Sequence, residues 1–293
     1  MSPAVGFWAV RSAARLAPLL PDATGYVVAG WVGDVLRLTA MTMRRRYDSN
    51  VARALGGVPD NLSALRRAAF RNLAWNYLEL FTLTVTSPDR LRAAGSIEGL
   101  TEALAESAAR GRTGSVLAFG HVGNLELLSH LGVLEPGERF AVVVEHMVDE
   151  DMNELLNGLR RCHGLQVIPA DEPRRILTAL RSGSHVILAS DYDSTGGGVV
   201  VPLFGRPTRM PVGAVRLALS TGAPLLVVEG WRDRADDPRH FRARVRGPVT
   251  LMRSNDREGD VLAGVATLAA MLEQHVVAHP GQWLAFRKIW CDA

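Results

Sequence analysis

Cysteine is nearly absent from this 293-residue chain, and lysine even more so. The two cysteines, Cys162 and Cys291, have neither the paired spacing of a thiolate metal site nor the density of a disulfide framework, which fits a reducing compartment. Lys288 is the only lysine, so the basic charge is carried by arginine. Guanidinium forks suit phosphate, but a bias this uniform points to genome composition before function. There is no G-x-G-x-x-G or Walker loop, which removes the usual nucleotide fingerprints, and no Gly-x-Ser-x-Gly, which argues against a serine hydrolase. The histidines share no ligand spacing, so no metal is expected. His130, inside an apolar helical segment, reads as a packed side chain. The arginines between Arg232 and Arg246 are broken up by Asp233, Asp236 and Asp237, which describes a solvated loop and no nucleic-acid patch.

Long apolar runs are missing as well. The N-terminus is hydrophobic but interrupted by Arg11, Arg15, Asp22, Asp34 and Arg37. Its longest uncharged stretch, Ala23 to Gly33, falls short of the ~20 residues that span a bilayer and shows no secretory signal. Phe7, Trp8, Tyr26 and Trp31 are aromatics suited to a membrane interface, and Arg44-Arg45-Arg46 suits anionic headgroups. Packing of these segments on the rest of the protein is the alternative, and both can hold.

What is present is an ordinary folded composition, 47% hydrophobic and 22% charged with a net charge of +3. Residues 1–95 read as a helical extension, with Asn61 to Thr84 apolar at helical spacing. From residue 96 to 293 the pattern alternates. Strands are expected at Ser115–Phe119, Phe140–Val144, Gln166–Ile168, His185–Ala189, Val199–Val201, Leu225–Gly230 and Phe241–Val245. Helices are expected at Leu125–Leu134, Asp151–Arg161, Pro173–Arg181, Pro211–Thr221 and Gly259–Ala278. Such alternation predicts an α/β domain with a mostly parallel central sheet flanked by helices.

One stretch stands out. In Val116-Leu-Ala-Phe-Gly-His121-Val-Gly-Asn-Leu-Glu126 a buried strand ends in glycine, a histidine follows, and Asn124 is placed to cap the next helix. Two residues five apart within one helix point about 140° away from each other. A loop histidine and a first-turn glutamate can meet, and Glu126 is expected to hold the imidazole as it takes a proton. A second block, Ala189-Ser-Asp191-Tyr-Asp193 followed by Gly196-Gly-Gly198 and Pro202-Leu-Phe-Gly-Arg-Pro-Thr-Arg209-Met-Pro-Val-Gly213, places acidic residues beyond another buried strand. That setting suits an anionic or hydroxyl-bearing ligand; a capped turn and a glycine loop is the plainer alternative.

Together, in this order and spacing, the two blocks resemble the lysophospholipid acyltransferase superfamily, in its branch of lipid A acyltransferases and phosphatidylinositol mannoside acyltransferases. The resemblance extends from the Asn72 to Phe81 helix to the closing Trp283-Leu-Ala-Phe-Arg-Lys-Ile-Trp290. It implies a glycerolipid acyltransferase-like fold and transfer of an acyl chain from acyl-CoA or acyl-ACP, a co-substrate and no bound cofactor, to a glycolipid hydroxyl, with a phosphatidylinositol mannoside as the implied acceptor. His121 matches the general base and Glu126 its charge-relay partner. Glu145, Arg160, Asp191, Asp193 and Arg209 match substrate-binding positions, Arg209 for the thioester oxyanion or a phosphate. Tyr192 departs from the mannoside group, which carries arginine there, and this bears on the acceptor. A peripheral position on the cytoplasmic face of the cell membrane follows from the same resemblance. An acyl-thioester hydrolase and a non-catalytic lipid-binding relative are the competing classes.

Overall fold

Strands with no polar face must be covered on both sides, and those of this chain are. The computed structural model describes residues 3–109, 114–193, 196–234 and 237–291. It opens with five helices, α1 (Pro3–Leu16), α2 (Asp22–Thr39), α3 (Met41–Ala54), α4 (Leu62–Thr82) and α5 (Pro88–Ala94). Strand and helix then alternate through β1 (Gly95–Glu98), α6 (Leu100–Ala109), β2 (Val116–Phe119), α7 (Leu125–Val133), β3 (Phe140–Val144), α8 (Glu150–Arg160), β4 (Gln166–Pro169), α9 (Pro173–Arg181) and β5 (His185–Ala189). The hairpin β6 (Val199–Leu203) and β7 (Arg206–Met210) precedes α10 (Gly213–Thr221), β8 (Leu225–Arg232), β9 (Phe241–Arg246) and α11 (Arg257–Ala278).

The main sheet has seven strands in the order β1-β9-β8-β2-β5-β3-β4. Its run from β8 to β4 is parallel, β9 is antiparallel to β8, and β1 runs parallel to β9. The mostly parallel α/β architecture expected from the alternation is therefore the one observed. Side chains divide between the faces with period two. Val116, Ala118 and Val186 join a core with α9, α10 and α11, while Leu117, Phe119 and Ile187 join one with α6, α7 and α8. α11 is long and apolar enough to cross a bilayer, but Val261, Val265, Leu268, Leu272 and Val276 bury one face of it in the first core.

Several boundaries differ from expectation. The short β1, α6 and β7 were not anticipated, because four- or five-residue strands and an alanine-rich helix give little periodicity. α10 begins at Gly213 behind Val212, so Pro211 stays outside the helix; its C-terminus ends as expected, with Gly222 in the left-handed region at φ 73. Ser194 and Thr195 of the glycine-rich block lie outside the described residues.

The N-terminal helices are built into the molecule. Tyr47, Val51 and Phe70 belong to the core shared with the sheet and the C-terminal tail, and Tyr47 and Asn50 bond the carbonyls of Pro280 and Ala285 at 2.9 Å. A buried ion pair anchors α4 to the last residue of β8: Arg232 donates to Glu79 at 2.7 and 2.8 Å, to Asn72 at 2.8 Å and to Asn76 at 2.7 Å. Tyr26 adds a hydroxyl bond to Glu79, and burial drives its own pKa upward. Removing one member of such a pair leaves the other charge desolvated. Arg232→Met is therefore expected to cost about 3–5 kcal/mol in urea unfolding. Adding Glu79→Leu to it should recover a large part of that loss; a single-variant cost below about 1 kcal/mol would show the pair to be solvated.

Candidate active site

Three neighbouring parallel strands, β2, β5 and β3, end together, and within two residues of each end stands a charged or titratable side chain: His121, Asp191 and Glu145. Open α/β sheets hold their ligands in this position, outside the carboxyl ends of the strands. The register explains the pairing. Phe119 lies opposite Ala189, so two residues further on His121 meets Asp191. The Asp191 carboxylate accepts two bonds from that one residue, from the His121 main-chain N–H at 2.7 Å and from the ring Nδ1 at 2.7 Å. The main-chain bond fixes the carboxylate, and the ring bond sets the tautomer with the proton on Nδ1. Nε2 is then the nitrogen left to accept a proton, on a ring whose side chain is 47% exposed.

The peptide carrying His121 is held from every side. Its carbonyl accepts from Leu284 N at 2.8 Å, and Val122 bridges Trp283. Gly123 sits at φ 76, where a Cβ would run into the Gly230 carbonyl, and its own carbonyl accepts from Asn76 at 2.7 Å. Asn124 caps α7 through Glu126 N at 2.9 Å and Leu127 N at 3.3 Å, as the sequence suggested, and its amide donates to Glu79. α4 thus grips the loop through Asn76 and Glu79.

Glu126 does not occupy the expected position. Its carboxylate is taken by Arg160, with Nη2 at 2.7 Å and Nε at 2.9 Å, and both side chains are largely buried. The helix start turns Glu126 toward α8, and the carboxylate that meets the His121 ring, Asp191, stands two residues beyond β5. Arg160, expected near the cleft, acts here as the partner of Glu126. Asp193 and Arg209 meet on one residue: Asp193 accepts from Gly198 N at 2.8 Å and Arg209 donates to Gly198 O at 3.0 Å, holding Gly198 against β7.

Arg287 went unremarked in the sequence. It reaches back from the tail to lie over the Tyr192 ring at 4.6 Å and within 3.8 Å of Glu145. Its approach to Tyr192 and Glu145 shows only in three dimensions; the basic pair Arg287-Lys288 in an aromatic tail was the available signal. The Asp191 charge is the main cause that raises the His121 pKa above its ordinary 6.5; burial opposes it, as does Arg287, while Glu145 adds to it. Burial pushes Asp191 upward, but the His121 charge and hydrogen bonds outweigh it and leave the carboxyl below its ordinary value.

Glu145, Tyr192 and Asp193 help line a cavity of about 950 Å³ shared by α9, α10 and the start of α11. Its walls combine apolar side chains such as Ile176, Leu188 and Leu217 with charged ones, among them Arg216 and Glu258, which pair at 2.8 Å. A titratable dyad next in the chain to residues lining a cavity of this size has the form of a small-molecule site.

A family model described as bacterial lipid A biosynthesis acyltransferase matches residues 2–291. Two curated relatives from Mycobacterium tuberculosis, strains CDC 1551 / Oshkosh and ATCC 25618 / H37Rv, are each 30% identical over 292 residues, covering 89% of this chain and 86% of the relative. A third, from Mycolicibacterium smegmatis strain ATCC 700084 / mc(2)155, is 28% identical and covers 94% of this chain and 88% of its own length. All three carry the name phosphatidylinositol mannoside acyltransferase.

The geometry separates the two carboxylates by experiment. In an NMR titration, Asp191→Asn should bring the His121 midpoint down from its raised value toward or below 6.5, while Glu126→Gln should leave it within a few tenths of a unit. The reverse pattern would restore Glu126 as the ring's partner. The raised histidine contributes stability below pH 6.5 that is lost as pH rises through its folded value, and the depressed Asp191 contributes stability above 3.8 that is lost as pH falls. The stability difference between wild type and Asp191→Asn should therefore peak between about pH 4 and 6.5.

Proposed function

The chain belongs to the bacterial lipid A biosynthesis acyltransferase family and is an acyltransferase; on that premise we propose that it moves a fatty acyl chain from acyl-CoA, or from acyl-ACP, to a hydroxyl of a glycolipid, with a phosphatidylinositol mannoside as acceptor and His121 as general base. The observation that carries this reading is the His121–Asp191 dyad, whose neighbours Tyr192 and Glu145 line a largely apolar cavity of about 950 Å³.

The chemistry follows from the atoms. Nε2 of His121 takes the proton of the acceptor hydroxyl as its oxygen attacks the thioester carbonyl. The buried Asp191 carboxylate supports the imidazolium that forms. Collapse of the tetrahedral intermediate breaks the C–S bond, and the imidazolium gives its proton to the departing thiolate, which leaves as the thiol. An ester has then replaced the thioester and the histidine is neutral again. Arg287, beside Glu145 and close enough to act on the His121 charge, is the cation placed to face developing negative charge. Arg209 serves by holding the glycine-rich loop at Gly198.

The exposed face of the N-terminal helices supports membrane attachment. Val27, Trp31, Val35 and Leu38 recur along one side of α2 and are all more than half exposed, and Trp8, Leu16 and Leu19 extend the surface along α1 and the turn behind it. Arg45 and Arg46, exposed at the start of α3, suit an anionic leaflet. This reading places the protein peripherally on the cytoplasmic face, where its thioester donor is made and its lipid acceptor is within reach.

With radiolabelled acyl-CoA and phosphatidylinositol mannoside in vesicles, the wild-type protein should yield acylated lipid, and His121→Ala should lower the rate by ~10²–10⁴. Release of free fatty acid as the main product, whether or not acceptor is present, would identify a hydrolase. Trp31→Asp/Val35→Asp should reduce sedimentation with anionic vesicles by more than tenfold while the circular dichroism spectrum is unchanged; undiminished sedimentation would remove α2 from the membrane contact.

A further inference from the structure

Behind the Glu126–Arg160 pair, and apart from the dyad, three side chains that share no sequence spacing come together: His130 of α7, and Cys162 and His163 of the 3-10 turn that follows α8. We propose that they form a binding site for a thiophilic d10 cation of the Zn²⁺ class. The ligand atoms they offer lie within 4.8 Å of one another.

The hydrogen bonds orient the lone pairs inward. His130 is fully buried, with Glu126 O at 2.7 Å from Nδ1 and Arg160 O at 3.1 Å from Nε2. A neutral ring there has one N–H for two carbonyls. The shorter contact puts that proton on Nδ1, which leaves the Nε2 lone pair facing the Cys162 sulfur at 3.4 Å. In His163, Nε2 donates to Thr86 O at 2.9 Å, so its lone pair is on Nδ1. That Nδ1 is a buried atom without a hydrogen-bond partner, in a residue held at φ 56. Buried polar nitrogens are ordinarily satisfied, and a cation would satisfy this one.

The spacing suits a tetrahedral ion. Bonds of about 2.3 Å to sulfur and about 2.0–2.1 Å to nitrogen place S and N about 3.6 Å apart. The Cys162–His130 separation is 3.4 Å, and the wider separations, none above 4.8 Å, would have to close by at most about 1.5 Å on binding. Cys162 and His163 are only partly buried, which leaves a route for the ion and a fourth position for water. The cation takes the place of the thiol proton, which leaves to solvent. Two carbonyls in this cluster belong to Glu126 and Arg160, so an ion here would brace α7 on the turn after α8.

The test uses the full chain, free of any affinity tag. Addition of Co²⁺ should give tetrahedral d–d bands and a sulfur-to-cobalt charge-transfer band that saturate at one ion per chain, and Zn²⁺ should displace them and raise Tm. Cys162→Ser should abolish the charge-transfer band, and His163→Gln should weaken Zn²⁺ binding at least tenfold in competition with a chromophoric chelator; Cys291→Ser should change neither. If Cys162→Ser fails to fold, His163→Gln carries the test alone. Absence of a stoichiometric band in the wild type, its loss in Cys291→Ser, or undiminished Zn²⁺ binding by His163→Gln would overturn the proposal.

Discussion

A single buried carboxylate positions the His121 imidazole. Asp191 binds the His121 main chain and ring at once, so the loop's path and the ring's tautomer depend on the same side chain. The pairing needs strands β2 and β5 to be adjacent, parallel and in a register that brings their ends level. Because Asp191 is nearly excluded from solvent, its charge acts on the imidazolium with little screening. One strand pair in a parallel sheet thus creates the site's electrostatics.

The rest of the molecule holds that loop in place. Gly123 is the residue that can carry the required backbone angle against Gly230. Asn76 and Glu79 of α4 bond Gly123 and Asn124, and Arg232 fixes Glu79 to the end of β8. The tail supplies the other wall through Trp283 and Leu284 and delivers Arg287 to the cleft. The N-terminal helices therefore have two faces, one locking the His121 loop and the other presenting apolar side chains to the outside.

Much of the fold was legible because parallel strands buried on both faces are apolar throughout; β3, β5 and α9 were read to the residue. Short elements such as β1 and β7 carry too little pattern to be read. At the site, position was legible where orientation was not. A polar residue after each of β2, β3 and β5 could be anticipated, and so could the Asn124 cap. The five-residue spacing of His121 and Glu126 showed that the two could meet, but the first turn of α7 aims Glu126 at Arg160. The partner that does meet His121 lies in the second block, brought in by strand pairing, which no local spacing encodes. Glu79 and Arg232 were hidden for the same reason: each looks like an ordinary surface charge until α4 and β8 are packed together.

Acyl transfer by this account requires a neutral His121 whose basicity is set by Asp191. The most direct measurement is the pH dependence of kcat/KM for acyl transfer in the wild type and in Asp191→Asn. The account predicts a wild-type rate that rises with pH through a midpoint above 6.5, the ordinary imidazole value, and an Asp191→Asn profile with a lower plateau whose midpoint has moved toward more acidic pH. Superimposable profiles for the two proteins would contradict it.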